Sequence, residues 1–181
     1  LVDSGLDFAA LRQRLGFPAG IGILEHAETL PAAMRSAALL VVQEYELDCA
    51  SRATWMPGAA ELLDDLKQRN MPMGIVTRNT RAAAQLAMTS LMMPALPLVA
   101  REDCAPKPDP AGLLMLAARW QLCPSRVLYV GDFLYDLQAA QAAGMPCCLY
   151  VPQGRRDYEA QATWVIRSFA ELGQKLKNGS H

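Results

Sequence analysis

The stretch "RVLYVGDFLYDLQAAQAAG", residues 126–144, decides how the rest of the chain is read. Its first part, Arg126 to Asp132, is a short aliphatic and aromatic run closed by Gly131-Asp132, which predicts a buried strand rather than a helix. The part that follows has a helical period and stops at Gly144, a residue suited to the left-handed cap that ends many helices. "CCLYV" at 147–151 is the next strand candidate. Strand, helix and strand in close succession predict parallel strands joined by a crossover helix.

The same alternation extends outward. "PGAAELLDDLKQRN" (57–70) places Leu62, Leu63 and Leu66 on one helical face and meets a stop at Asn70-Met71-Pro72. "MGIVT" (73–77) reads as a buried strand, a helix is expected at about 80–90, and "LPLVA" (96–100) is a second strand candidate. In "KPDPAGLLMLAARWQ" (107–121), Asp109 and Pro110 stand where an N-cap and first helical residue belong. "TWVI" (163–166) fits an edge strand, and Ser168 and Glu171 have capping-box spacing for a last helix. The expected fold class is α/β: an open, doubly wound parallel sheet, Rossmann-like, with a small α-helical insert. The insert is residues 6–53, where "DFAALRQRLG" and "PAAMRSAALLVVQEYELDCASR" are helical patterns around the Gly-rich loop "GFPAGIG" (16–22). Residues 1–5 then form a linker, and 54–181 the core.

Composition bounds the function. A chain of 181 residues carries one sizeable core plus an insert. Its 17 basic and 18 acidic residues are spread along the chain, for a net charge of −1, which argues against an electrostatic nucleic-acid or membrane binder. The longest apolar stretch, "LMMPALPLVA" (91–100), contains two prolines and is about half the ~20 residues of a membrane-spanning helix. Five cysteines form no CxxC pair, and the two histidines, His26 and His181, give them no ligand spacing. An odd count without a framework fits a reducing, cytoplasmic compartment, and Cys147-Cys148 reads as a pair of buried strand thiols. His26 and Arg155-Arg156 are read as structural or solvated, and Trp55 as packing where the insert rejoins the core.

In an open α/β sheet, ligands bind beyond the carboxyl ends of the strands. Strand 73–77 delivers Thr77, Arg78 and Asn79 there, the loop "APKPDP" delivers Lys107, and strand 127–131 delivers Gly131-Asp132 with Asp136 four residues on. Two carboxylates converging beside open positions suit a hard cation such as Mg²⁺. The same spacing also fits a helix start, with Asp132 capping and Asp136 favouring the positive end. Lys107 between two prolines suits a fixed charge aimed at an anion, or is simply a solvated lysine. Thr77 fits a phosphate contact through its hydroxyl and nearby N–H groups, or a plain strand end with Asn79 or Thr80 as N-cap. Together the three places would assemble a phosphate-plus-Mg²⁺ site.

The ordered set "GIVTRN", "APKPDP" and "VGDFLYDLQAA" resembles motifs two, three and four of the haloacid dehalogenase-like hydrolases. "MPGAAELLDDLKQ" resembles the Pro-Gly helix after the cap in their phosphoglycolate-phosphatase-like branch, and the likeness covers 55–170. It implies that the insert 6–53 is a cap and that the activity is hydrolysis of a small phosphorylated metabolite through an aspartyl-phosphate. Thr77, with Arg78 and Asn79, would hold the phosphoryl group, and Lys107 would neutralise its charge. Asp132 would bind Mg²⁺, and Asp136 would bind it or orient its waters.

In that family a first strand ends in DxDGT followed by LVDS, which Leu1-Val2-Asp3-Ser4 resembles. The nucleophile and general acid/base are therefore expected a few residues before Leu1, after about five apolar residues. A sheet lacking a central strand would expose apolar neighbours, so residues upstream are expected. Phe133 and Leu134 stand where the family more often has a small polar residue, and the insert is short for a cap of this branch. The alternatives are a phosphomutase, a catalytically silent binding or scaffold member of the fold, and a haloacid dehalogenase proper, which would not need the Asp132/Asp136 pair. A signalling receiver domain places its acidic pair early and its lysine late, the reverse of the order here. Arg12 or Arg35 of the insert could read the substrate; oligomeric state leaves no trace in the sequence.

Overall fold

A run that is apolar at every position, such as Cys147–Tyr150, has no face to give to water and must be covered on both sides. The computed structural model, which describes residues 1–178, shows what covers it; the terminal His181 lies outside the described residues. In chain order the elements are β1 (Val2–Asp3), α1 (Phe8–Leu15), α2 (Ile23–Glu28), α3 (Ala32–Ser51) and β2 (Thr54–Trp55). Then follow α4 (Ala59–Gln68), β3 (Ile75–Val76), α5 (Arg81–Ser90), β4 (Leu98–Val99) and α6 (Ala111–Arg119). The last are β5 (Tyr129–Gly131), α7 (Leu134–Ala143), β6 (Cys147–Tyr150), β7 (Trp164–Ile166) and α8 (Phe169–Asn178). They divide into two bodies, one of Leu1, Trp55–Arg81 and Pro94 onward, the other of Val2–Thr54 and Ala82–Met93.

In the first body β5, β6 and β7 form a parallel sheet, with Tyr129 opposite Cys147 and Cys148 opposite Trp164. β3 and β4 pair in parallel as a second sheet, with Ile75 opposite Leu98. Alternate residues of β6 enter separate cores. Cys147 and Leu149 join Leu113, Leu137 and Ala140 of α6 and α7, while Cys148 and Tyr150 join Leu62, Phe169 and Leu172 of α4 and α8. Helices therefore cover both faces of the sheet, the doubly wound arrangement expected from the sequence. Tyr150 stacks on Phe169 with ring centroids 4.4 Å apart.

The strands are shorter than the apolar runs that announce them. Of 73–77 only Ile75 and Val76 are strand, although Ile75 N–H and Thr77 N–H donate to the carbonyls of Pro97 and Val99 on either side. Helix ends follow local chemistry. Gly144 takes the left-handed conformation at φ 70°, and Met145 N–H reaches back to the Ala140 carbonyl at 2.9 Å, closing α7. Asn70 does the same for α4 at φ 54°.

The second body is helical. Asp7 caps α1 by accepting from the N–H groups of Ala9 and Ala10, and Gly16 ends it at φ 68°. Leu11, Ile23 and Val42 from α1, α2 and α3 form its buried core, with Leu15, Phe17, Leu24, Val41 and Tyr45 against them. α2 lies just beyond the Gly-rich stretch and has no counterpart in the sequence reading. His26 packs edge-on against Phe17, ring centroids 4.4 Å apart.

Candidate active site

Thr77 and Asp132 directly follow β3 and β5, and the loop before α6 carries Lys107; all belong to the first body. Lys107 turns inward instead of into solvent. Its Nζ lies 2.6 Å from Asp136 Oδ1 and donates to the Tyr129 hydroxyl at 2.8 Å, with 13% of the lysine side chain and 6% of the aspartate side chain accessible. The same Oδ1 accepts from the Tyr129 hydroxyl at 3.0 Å. Asp136 Oδ2 accepts from the backbone N–H groups of Asp132 and Phe133, each at 3.0 Å. One carboxylate thus accepts from four donors, one of them charged, using about four acceptor positions, the whole capacity of its two oxygens.

Gly131 permits this packing. A Cβ on it would lie 2.3 Å from both Cβ and Cγ of Asp136, a distance no side chain tolerates. Asp136 is the third residue of α7, and by accepting the N–H of the cap residue Phe133 it makes half of a capping box. Phe133, not Asp132, occupies the N-cap position, so the Asp132 side chain is set at the mouth of the site.

The electrostatics separate the two aspartates. Burial alone would raise the pKa of Asp136, yet the Lys107 charge and its hydrogen bond, with those from Phe133 and Tyr129, hold the carboxyl below its ordinary value. Asp132 moves the other way: loss of water first, and the Asp136 charge second, raise its pKa. Its side chain is nonetheless open to solvent, so it is an anion short of counter-charge at an accessible position. Burial, then the Asp136 charge and hydrogen bond, push the Tyr129 hydroxyl well above 10, which keeps it protonated.

Arg78 braces the lysine loop. Its Nη1 donates to the Lys107 carbonyl, and its guanidinium lies over the Tyr135 ring at 4.7 Å. The Arg78 carbonyl accepts from Arg101 Nη1 at 3.4 Å, and the Asn79 carbonyl from Arg101 N–H at 3.2 Å. The Thr77 hydroxyl accepts from Asn79 N–H at 3.1 Å, so its own proton remains to be donated. Further along, the Arg81 guanidinium pairs with Asp103, which accepts Ala100 N–H at 2.7 Å, fixing the loop after β4.

Of the six residues singled out in the sequence, Lys107 and Asp136 are in direct contact, Asp132 joins them through its N–H, and Arg78 through the Lys107 carbonyl. Thr77 and Asn79 are bonded to each other at the same strand end and not to the Lys107–Asp136 pair, among the described residues. Tyr129 is the member that sequence reasoning missed. The signal was present: a tyrosine two residues before the strand-ending Gly-Asp needs a partner for its hydroxyl once buried.

Metal fit follows from the donors. Among the described residues no three His, Cys, Asp or Glu side chains gather as a ligand cluster. An open Asp132 carboxylate suits a hard cation that retains waters; both oxygens of Asp136 accept hydrogen bonds, from Lys107, Tyr129 and the backbone of Asp132 and Phe133.

A doubly wound α/β body with a lysine, a carboxylate pair and a hydroxyl at its strand ends defines the class of protein. The comparisons narrow it. A family model described as haloacid dehalogenase-like hydrolase matches residues 22–150, and the chain belongs to that family, in its phosphoglycolate-phosphatase-like branch. A haloacid dehalogenase-like hydrolase domain-containing protein of Arabidopsis thaliana is 30% identical over 162 residues, covering 83% of this chain and 66% of its own length. A phosphoglycolate phosphatase of Nitrosospira multiformis is 30% identical over 153 residues, covering 81% of this chain and 67% of its own. The chain thus spans about two thirds of the length of these relatives. The crystal structure of a hydrolase from Pseudomonas syringae superposes with a TM-score of 0.75 at 22% identity, over 86% of this chain and 75% of that one, and shows the fold.

Proposed function

We propose that the protein hydrolyses a small phosphorylated metabolite in a Mg²⁺-dependent reaction that passes through an aspartyl-phosphate. The observation that carries this reading is the buried Lys107–Asp136–Tyr129 cluster, which fixes a cation at the strand ends beside the open Asp132. The Nitrosospira relative, by its name a phosphoglycolate phosphatase, agrees with it.

Lys107 would neutralise charge on the transferring phosphoryl group. It is held for this by Asp136 and Tyr129 on its ammonium and by Arg78 on its carbonyl. Such preorganised charge does not have to reorient as the reaction proceeds. Thr77, flanked by Arg78 and Asn79, would donate its hydroxyl proton to a phosphoryl oxygen. Asp132 would hold Mg²⁺, with Asp136 positioning Asp132 through its N–H and lowering the freedom of Lys107. The bound metal would supply charge neutralisation of the phosphate oxygens.

The nucleophile and the general acid/base are not among these residues and would be carried by a further strand ending beside them. One feature supports that placement: β3 and β5 lead directly into site residues yet belong to separate sheets, leaving each with an edge for a further strand. The helical residues 6–53 would act as the cap, in a cytoplasmic protein.

The test is phosphate release by the full-length protein from an artificial aryl phosphate. Turnover with Mg²⁺, abolished by chelator and restored by adding metal back, is the expected result; release indifferent to chelator would remove the metal from the reading.

A further inference from the structure

Packing at position 129 asks only for a ring. Tyr129 lies on β5, pairs with Cys147 of β6 and packs against the cluster that holds Leu113, Leu137 and Leu149, a role phenylalanine would fill equally well. The hydroxyl is what packing leaves unexplained. It accepts from Lys107 Nζ at 2.8 Å and donates to Asp136 Oδ1 at 3.0 Å, and the same Oδ1 stands 2.6 Å from Nζ. The three atoms close a triangle. Because the phenol's single proton goes to the carboxylate, a lone pair is what it offers the lysine.

An ammonium carries three N–H groups, and one acceptor does not fix where the other two point. Held by Asp136 alone, Nζ would be free to turn about that contact. The phenol supplies a second acceptor, and supplies it from a paired strand, whereas Lys107 itself sits in a loop. Two N–H directions are then set, the tetrahedral nitrogen fixes the third, and that one is left for a ligand.

We propose that Tyr129 is a positioning residue: its hydroxyl, fixed by β5 and tied to Asp136, aims the remaining N–H of Lys107 at the transferring phosphoryl group. This rests on the phosphatase reading above and adds a residue to it. Tyr129 acts through the lysine and does not itself touch the phosphoryl group. A charge held slightly off its place stabilises the transition state less, while the substrate is bound nearly as before. The loss therefore falls on kcat and leaves KM almost alone.

The experiment measures release of phosphate from an aryl phosphate by the full-length protein with Mg²⁺, for the wild type, Tyr129→Phe, Lys107→Met and the double variant. In Tyr129→Phe, kcat should fall about ten- to a hundredfold with KM little changed. In the Lys107→Met background the same substitution should cost nothing further, because the group it aims is gone. A purely structural tyrosine would lower the rate by the same factor in both backgrounds; that result, or an unchanged kcat in Tyr129→Phe, would overturn the proposal.

If the wild type releases no phosphate, the phosphatase reading fails instead, and the aiming of the ammonium is judged by NMR of the ¹⁵N-lysine-labelled protein. A Lys107 ammonium signal, assigned by its loss in Lys107→Met, that is sharp in the wild type and broadened in Tyr129→Phe upholds it. A signal that the substitution leaves unchanged, or one absent from the wild type, overturns it. Tyr129→Phe keeps the ring and so the packing. Should it fail to fold by circular dichroism, magnetisation transfer in the wild type from the Lys107 ammonium to the Tyr129 ring protons decides: its presence upholds the contact and its absence overturns it.

Discussion

Lys107 Nζ and Asp136 Oδ1 stand 2.6 Å apart with both side chains almost wholly withdrawn from water. Because the carboxylate also takes three further hydrogen bonds, the pair locks the lysine loop, β5 and the start of α7 to one another.

Breaking that pair should be costly. Removing one partner of a buried ion pair leaves the other uncompensated, at about 3–5 kcal/mol. For a domain of this size each kcal/mol moves Tm by about 2–4 °C, so Asp136→Asn and Lys107→Met should each lower Tm by about 6–20 °C. The double variant should lose less than the sum of the two, a coupling that a thermal-unfolding cycle measures.

The Asp136 carboxyl is held below its ordinary value, so the sign is that of a depressed acid. The stability it contributes is complete above the unfolded aspartate value, about pH 4, and disappears as pH falls through the lower folded value. Tm measured against pH should show the wild type's advantage over Asp136→Asn shrinking below about pH 4, and constant above it.

Asp132 has the opposite sign. Its raised pKa means that the ionised form is disfavoured in the fold, and above that pKa it costs stability. Without added metal at pH 7.5, Asp132→Asn should therefore be slightly more stable than the wild type, by a few tenths of a kcal/mol after solvent screening, while phosphate release falls by about 10²-fold or more. A Tm drop together with full activity would contradict both halves.

Gly131→Ala tests the packing directly. Its Cβ would fall 2.3 Å from two Asp136 carbons, so either the strand end or the aspartate must move. The expected loss is about 1–3 kcal/mol, as for other overpacked sites, together with a loss of phosphate release larger than the change in folded fraction explains.

The thiols should divide by burial. Cys147 and Cys148 are buried in β6, which pushes both pKa values up to about 12, whereas Cys123 is exposed and its pKa is lowered by the Ser125 hydroxyl. A thiol reagent at pH 8 should label Cys123 first and leave Cys147 and Cys148 unreacted until denaturant is added.

Residues at strand ends are legible because position alone announces them: Thr77 and Asp132 each follow a run that a buried strand explains, and Lys107 stands between two prolines in the loop before a helix. Tyr129 is not, because inside such a run a tyrosine looks like any other core aromatic, and only the partner 22 residues away in the loop gives its hydroxyl a role. The helix α2 escaped for a different reason. It is six residues long, Ile23–Glu28, and is capped by Gly22, so the glycines at 16–22 mask the start of its period. Asp109 and Pro110 were nearly placed: Pro110 is the cap residue and Asp109 accepts the N–H of Ala111 at 2.8 Å. The lysine's inward turn, by contrast, depends on Arg78 holding its carbonyl, a contact between residues 29 positions apart that no local pattern reveals.

The most direct measurement is phosphate release by the full-length protein, wild type against Lys107→Met, on one ester under saturating Mg²⁺, with the folded fraction of each followed by circular dichroism. Metal-dependent turnover in the wild type, reduced about 10²–10³-fold in the folded Lys107→Met protein, is the expected result. Equal turnover in the two, or none in the folded full-length wild type, would contradict a phosphoryl-transfer site built around this lysine.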